Sequence, residues 1–157
     1  MSDEARRPED KQACAPVSLE GAIEMAVLAH RGQVDKAGEP YILHPLRVMF
    51  RVREQGHRVE VQAAAVLHDT VEDTSVTLAE ITALSSEVAD PVDAVTRRHQ
   101  EVYLDFVRWA ASNPEARAIK RADVDDNLSR LDRLRSEEAE PLARRYERAR
   151  EILRGES

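Results

Sequence analysis

Ala63-Ala64-Ala65-Val66-Leu67-His68-Asp69-Thr70-Val71-Glu72-Asp73 decides how this chain is read. A run of small and aliphatic residues passes into His68, Asp69, Glu72 and Asp73, and its apolar half has the look of a buried helix. Carboxylates at the end of such a helix are costly unless something compensates them, doubly so at the negative end of a helix dipole. One continuous helix over about 59–71 would stack His68 over Glu72 and Asp69 over Asp73, so that two adjacent columns converge. A divalent cation is the natural compensator. Neutral imidazole and ionised carboxylate are its ligands, and an open coordination position would make the site catalytic.

The remaining sequence agrees with a helical frame. A chain of 157 residues suits one domain with a full-sized core. Aromatic residues make up only 4%, and no run of alternating β-branched residues suggests a strand, so the expected class is all-α. Residues 1–16, with Pro8 and Pro16, read as a flexible N-terminal tail, and 17–157 as the folded domain. Ser18 caps a first helix that ends near Gly32, and after the loop Gln33 to His44, Pro45 opens a second that stops before Gly56. The third helix carries the acidic cluster, and Thr77 with Glu80 forms a capping box for a fourth. Further helices are expected at about 87–98, at 102–111, from Pro114 onward and at about 141–153, a bundle of about eight.

Charge and targeting signals bound the partners. A formal charge of −7 gives no general attraction to nucleic acid or anionic lipid, so a small anion neutralised by a metal is the expected partner. The single cysteine, Cys14, excludes an internal disulfide and suits a reducing compartment. Met1 to Arg7 lack the apolar core of a secretory signal, and no stretch approaches the roughly 18 apolar residues of a membrane helix. The expected location is the cytoplasm.

Outside the acidic cluster, Lys120, Asp123 and Asn127 recur at spacings of three and four and share a helix face beside the apolar stripe of Ile119, Ala122, Leu128 and Leu131. Because Asp125 and Asp126 lie in the same run, the residues alone leave Asp123 open between a ligand and one member of a solvated acidic face. His44 is pinned by Pro45 at a helix start, which suits either a structural imidazole or a ligand. His30 reads as a core or capping residue and His57 and His99 as solvated, so all three stand outside the metal set.

Three blocks then add up to a resemblance: Gly32-Gln33-Val34-Asp35-Lys36-Ala37-Gly38-Glu39-Pro40-Tyr41-Ile42-Leu43-His44-Pro45-Leu46, Leu67-His68-Asp69-Thr70-Val71-Glu72-Asp73-Thr74, and Ile119-Lys120-Arg121-Ala122-Asp123 with Asn127. Together, in this order and across about Leu19 to Leu134, they resemble the HD-domain hydrolase module of the RelA/SpoT homologue family. With no room for a synthetase domain, the chain resembles the small, hydrolase-only branch that includes the metazoan SpoT homologue. The resemblance implies an HD-domain helical bundle in which His44, His68, Asp69 and Asp123 coordinate one Mn²⁺, a donor set that other divalent transition metals also accept. It places Glu72 and Asp73 beside the attacking water and Asn127 on ribose or phosphate. By their charge Lys36 and Lys120 are candidates to neutralise phosphate oxygens, with surface ion pairing the alternative for both. The implied reaction removes the 3′-pyrophosphate of (p)ppGpp.

One departure matters. Asp35 stands where family members usually carry an arginine that packs against guanine, and an acid neither stacks in that way nor welcomes a polyphosphate. A second expectation is therefore a phosphatase or phosphodiesterase for another nucleotide, such as a phosphorylated nicotinamide dinucleotide. A third, of a different class, is a metal- or nucleotide-binding module without catalysis, against which the presence of both Glu72 and Asp73 speaks.

Overall fold

The computed structural model describes residues 17–155, so the expected N-terminal tail and Cys14 lie outside the described residues. Their helices are α1 (Leu19–Ala29), α2 (Leu43–Glu54), α3 (Val59–Leu67), α4 (Thr70–Asp73), α5 (Leu78–Leu84), α6 (Ser86–Ala94), α7 (Tyr103–Ala111), α8 (Pro114–Ser129) and α9 (Ser136–Arg154), with a 3₁₀ turn at Leu131–Arg133. Among the described residues the only strand-like pairing is an isolated bridge between Val34 and Pro40. The all-α expectation holds.

Local signals set most helix ends. Ser18 accepts a hydrogen bond from the Gly21 amide at the start of α1, and Thr77 and Glu80 close their capping box at α5. Asn113 accepts from the amides of Glu115 and Ala116 while Pro114 takes the first position of α8, where a missing amide costs nothing. Gly155, at φ 78°, ends α9 in the left-handed region that a β-carbon disfavours.

The helix at the acidic cluster differs from expectation. It is not continuous over 59–71: α3 stops at Leu67 and α4 restarts at Thr70. Side chains take over the carbonyls that an unbroken helix would use. His68 Nδ1 lies 2.7 Å from the Ala65 oxygen, and the Thr70 hydroxyl donates to the Leu67 oxygen at 2.8 Å. Asp69 still stands one turn before Asp73, whose amide donates to the Asp69 oxygen at 3.0 Å, and the Tyr41 hydroxyl reaches both carboxylates. Helix α9 begins five residues before the expected Pro141, which it carries inside its first turns, and α6 ends at Ala94, earlier than expected, where Thr96 donates back to the Val92 oxygen.

Helix α3 is the axis of the fold. Val61 and Ala63 to Leu67 are buried, and α3 packs against α1, α2, α6 and α8. A helix apolar on every side belongs in the centre, and its alanines let the neighbours approach closely. Val48, Val52, Ile81, Val88, Val92 and Ile119 complete this core, while Phe106, Val107, Val124, Ala149 and Leu153 form a second cluster among α7, α8 and α9. Helix α8 touches both sets of neighbours and presents its polar face to the cavity described next.

Candidate metal centre and its cavity

Three separate segments deliver one set of donor atoms: the start of α2 gives His44, the α3–α4 break gives His68 and Asp69, and the middle of α8 gives Asp123. Atoms of His44, His68 and Asp123 all lie within 4.8 Å of one another. His44 Nε2 is 3.1 Å from Asp123 Oδ1 and 3.6 Å from Asp69 Oδ2; His68 Nε2 is 3.0 Å from Asp69 Oδ2 and 3.8 Å from Asp123 Oδ1. Asp69 borders this group through His44 and His68 without joining the mutual set.

The tautomers suit a metal. His68 Nδ1 is committed to the Ala65 carbonyl, which leaves Nε2 as the free donor, and that atom is buried without a hydrogen-bond partner. His44 Nδ1 is committed to Asp126 Oδ2 at 2.8 Å, again freeing Nε2. Asp126 is fully buried and held by Arg47 Nε at 2.9 Å, with Arg51 Nε at 3.6 Å. Burial would raise its carboxyl, but the bonds from His44 and Arg47 outweigh this and bring it down to about 2.

Electrostatics describe a site waiting for positive charge. Burial would lower both imidazoles, yet the Asp123, Asp126 and Asp69 carboxylates around His44, and Asp69 and Asp123 around His68, raise both above the ordinary histidine value. Against the same burial, Lys120 and the imidazoles hold Asp123 well below the ordinary carboxylate range, and His68 does the same for Asp69. Protons and a divalent ion would compete for the same imidazole nitrogens. The imidazole and carboxylate donor set, the orphaned His68 Nε2 and the outer hydrogen bonds fit a borderline divalent ion.

Each of the other expected residues has a definite place. Glu72 lines the cavity and accepts a hydrogen bond from the Arg97 amide; desolvation, then the Asp69 charge, raises its carboxyl despite that bond. Asp73 is not among the lining residues. Its carboxyl, raised mainly by desolvation, lies 3.5 Å from the Tyr41 hydroxyl. Lys120 donates to Asp123 Oδ2 at 2.7 Å and Asn127 donates to Asp123 Oδ1 at 2.8 Å, so both hold Asp123 while lining the cavity. Lys36 lines the cavity from the exposed 33–41 loop. In that loop Asp35 accepts from the amides of Ala37 and Glu39 and pairs with Arg130 at 3.3 Å, so its charge is already engaged.

Two contributors escape sequence reading. Asp126, grouped there with a solvated acidic run, is instead buried; its position four after Ala122 and seven after Ile119 places it on the apolar stripe, and that spacing was the available signal. Tyr41, three residues before His44, donates its hydroxyl to Asp69 Oδ2, a contact no spacing announces. Both hold members of the cluster, Asp126 on His44 and Tyr41 on Asp69.

The cavity beside the cluster encloses about 380 Å³ and runs from the 33–41 loop past His44, Asp69 and Asp123 to Tyr103, Leu142 and Tyr146. Among the described residues no helix is long and apolar enough to cross a membrane.

Comparison with known proteins agrees with this geometry. The family model described as HD domain matches residues 22–154. The guanosine-3′,5′-bis(diphosphate) 3′-pyrophosphohydrolase of Aquifex aeolicus (strain VF5) is 36% identical over 135 residues, which are 80% of this chain and 19% of that protein. The probable GTP pyrophosphokinase of Mycobacterium leprae (strain TN) is 34% identical over 148 residues, 86% of this chain and 18% of that protein. The chain thus spans about a fifth of the length of these curated relatives. Among solved structures, a metazoan ortholog of SpoT, described as hydrolysing ppGpp and playing a role in starvation responses, superposes with a TM-score of 0.77 at 26% identity, covering 98% of this chain and 90% of that one.

Proposed function

Because the chain belongs to the HD-domain family and is a homologue of its RelA/SpoT-type hydrolases, we propose that it is a Mn²⁺-dependent nucleotide phosphohydrolase that removes the 3′-pyrophosphate of (p)ppGpp. The observation that carries this reading is the convergence of His44, His68, Asp69 and Asp123 beside a cavity of nucleotide-compatible size, with His68 Nε2 buried and unpartnered. These side chains would hold the metal, with Tyr41, Asp126, Lys120 and Asn127 fixing their orientation. When bound, the ion would acidify water and polarise a phosphoryl oxygen.

The chain's own residues supply the rest. Glu72, the acidic neighbour that faces the cavity, takes the proton of the attacking water; its raised carboxyl brings its basicity closer to neutral pH. Asp73, turned toward Tyr41, supports the Asp69 side of the cluster. Lys36 and Asn127 line the cavity and would meet phosphate and ribose oxygens, and Lys120 keeps its charge next to Asp123. The expected partner is a small nucleotide in the cytoplasm.

Pyrophosphate release from guanosine tetraphosphate by Mn²⁺-loaded protein tests the proposal, with His68→Ala as the blank. Turnover no higher than that blank rejects the substrate. A second reading, a phosphorylated nicotinamide dinucleotide, is favoured by Asp35, whose commitment to Arg130 builds a different loop wall from one with a guanine-stacking arginine. A nucleotide panel separates the two.

A further inference from the structure

We infer that His30 and Gln33 form a brace behind the metal cluster: positioning residues that hold Tyr41 and the short helix α4, and through them set Asp69 and Glu72. The effect on turnover rests on the phosphohydrolase reading; the contacts that carry the brace do not.

The buried stripe of α1 ends in an imidazole. Ala22, Ala26 and His30 follow at spacings of four, and His30, at the C-terminal cap of the helix, is only 2% exposed. A polar ring so placed needs a partner, and among the described residues its one hydrogen bond joins Nδ1 to the Gln33 side-chain oxygen at 2.8 Å, while Nε2 has none. The far end of the Gln33 amide fixes the direction of that bond. Gln33 Nε2 donates at 3.0 Å to the carbonyl of Asp73, 40 residues on, and a carbonyl can only accept, so the amide oxygen faces His30 and Nδ1 carries the proton.

Asp73 is where the bond counts. It closes α4, a helix of one turn that is too short to satisfy its own last carbonyls. Gln33 anchors the Asp73 carbonyl and the Arg97 amide holds the Glu72 carboxylate, so two bonds from distant segments fix the turn that carries Glu72. The same pair grips Tyr41. Its amide donates to the Gln33 carbonyl at 2.9 Å, and its ring packs on that of His30 with centres 5.0 Å apart. Tyr41 in turn donates to Asp69 Oδ2 and reaches Asp73 Oδ2. Two routes from one pair thus end at Asp69 and Asp73, the N-cap and the last residue of α4. Neither His30 nor Gln33 lines the cavity beside the cluster, so both act through other residues.

Amide hydrogen exchange, followed by NMR on the full chain without metal, tests the brace. The amides of Asp73 and Thr74 donate to the Asp69 and Thr70 carbonyls at 3.0 and 3.1 Å and report the local opening of α4. Gln33→Leu, at a half-buried loop position, is expected to speed their exchange about fivefold or more. A residue that merely packs would lower global stability, read at the buried amides of α3, and leave the local opening of α4 as it was. His30→Asn, which can place an amide nitrogen near the position of Nδ1, should stay closer to wild type at the Asp73 and Thr74 amides than His30→Leu. In Mn²⁺-loaded enzyme Gln33→Leu should lower kcat for guanosine 3′,5′-bis(diphosphate) about tenfold with KM within about twofold, because the side chain is off the cavity wall. Exchange at Asp73 and Thr74 within about twofold of wild type in Gln33→Leu, His30→Asn no better than His30→Leu, or an unchanged kcat overturns the inference. The exchange measurement needs neither metal nor turnover, so failure of the proposed reaction and failure of the brace are separate results.

Discussion

Removing the Asp126 carboxylate should weaken the metal centre without touching a ligand. Its Oδ2 accepts from His44 Nδ1 at 2.8 Å, a bond that fixes the tautomer and turns Nε2 toward Asp69 and Asp123. Outer partners of this kind are worth about 10- to 100-fold in metal affinity, or about 1.4–2.7 kcal/mol. Asp126→Ala leaves the imidazole free to rotate and strands Arg47, although Arg47, with a side chain 31% exposed, can turn to water. The expected rise in the Mn²⁺ dissociation constant is therefore about 10- to 100-fold. Asp126→Asn retains an oxygen acceptor for Nδ1 and loses only the charge, so its effect should fall below about tenfold. Calorimetric titration with Mn²⁺, run beside circular dichroism to confirm the fold, measures both. Mn²⁺ affinity of Asp126→Ala within about twofold of wild type would refute the claim that this carboxylate orients His44.

Glu72→Gln should lower kcat by about 10²- to 10⁴-fold while Mn²⁺ stays bound, whereas Asp73→Asn, off the cavity wall, should cost less than about tenfold. Steady-state kinetics with metal analysis decides this, and the reverse order would exchange the two roles. His44 and His68 are raised above the ordinary histidine value, so without metal they retain protons near neutrality that Mn²⁺ must displace. Affinity should accordingly increase as pH rises above the ordinary histidine value, with proton release visible as a buffer-dependent binding enthalpy; a flat profile contradicts it. Asp126, down to about 2 when folded against an unfolded value of about 3.9, contributes stability that is complete above the unfolded value and lost as pH falls through the folded one. Asp126→Asn should flatten that limb in urea denaturation below about pH 4. Leu67→Ala, at a fully buried position of α3, should cost about 2–5 kcal/mol by denaturant unfolding, and Phe50→Ala, at a position 54% exposed, no more than about 0.5 kcal/mol.

Much of the fold was legible because its signals are local. Ser18, the Thr77–Glu80 box, Asn113-Pro114 and the all-apolar run before His68 mark helix ends and the central helix through hydrogen bonds and burial within a few residues. The α3–α4 break was not legible. His68 and Thr70 look like ordinary helix residues until their side chains are seen on the Ala65 and Leu67 carbonyls. Expecting an unbroken helix gave the acidic residues and the turn from Asp69 to Asp73, but not the interruption at His68 and Asp69.

The amino-acid order by itself determined the helical class, the central helix and which side chains have the chemistry to hold a cation, because burial periodicity, capping and donor type are properties of short segments. Only the tertiary structure decided which of those side chains meet. His44 lies 82 residues from Asp126, and Tyr41 lies 28 from Asp69. Contacts at such separations depend on how α2, α3 and α8 pack together, and that packing also buries Asp126.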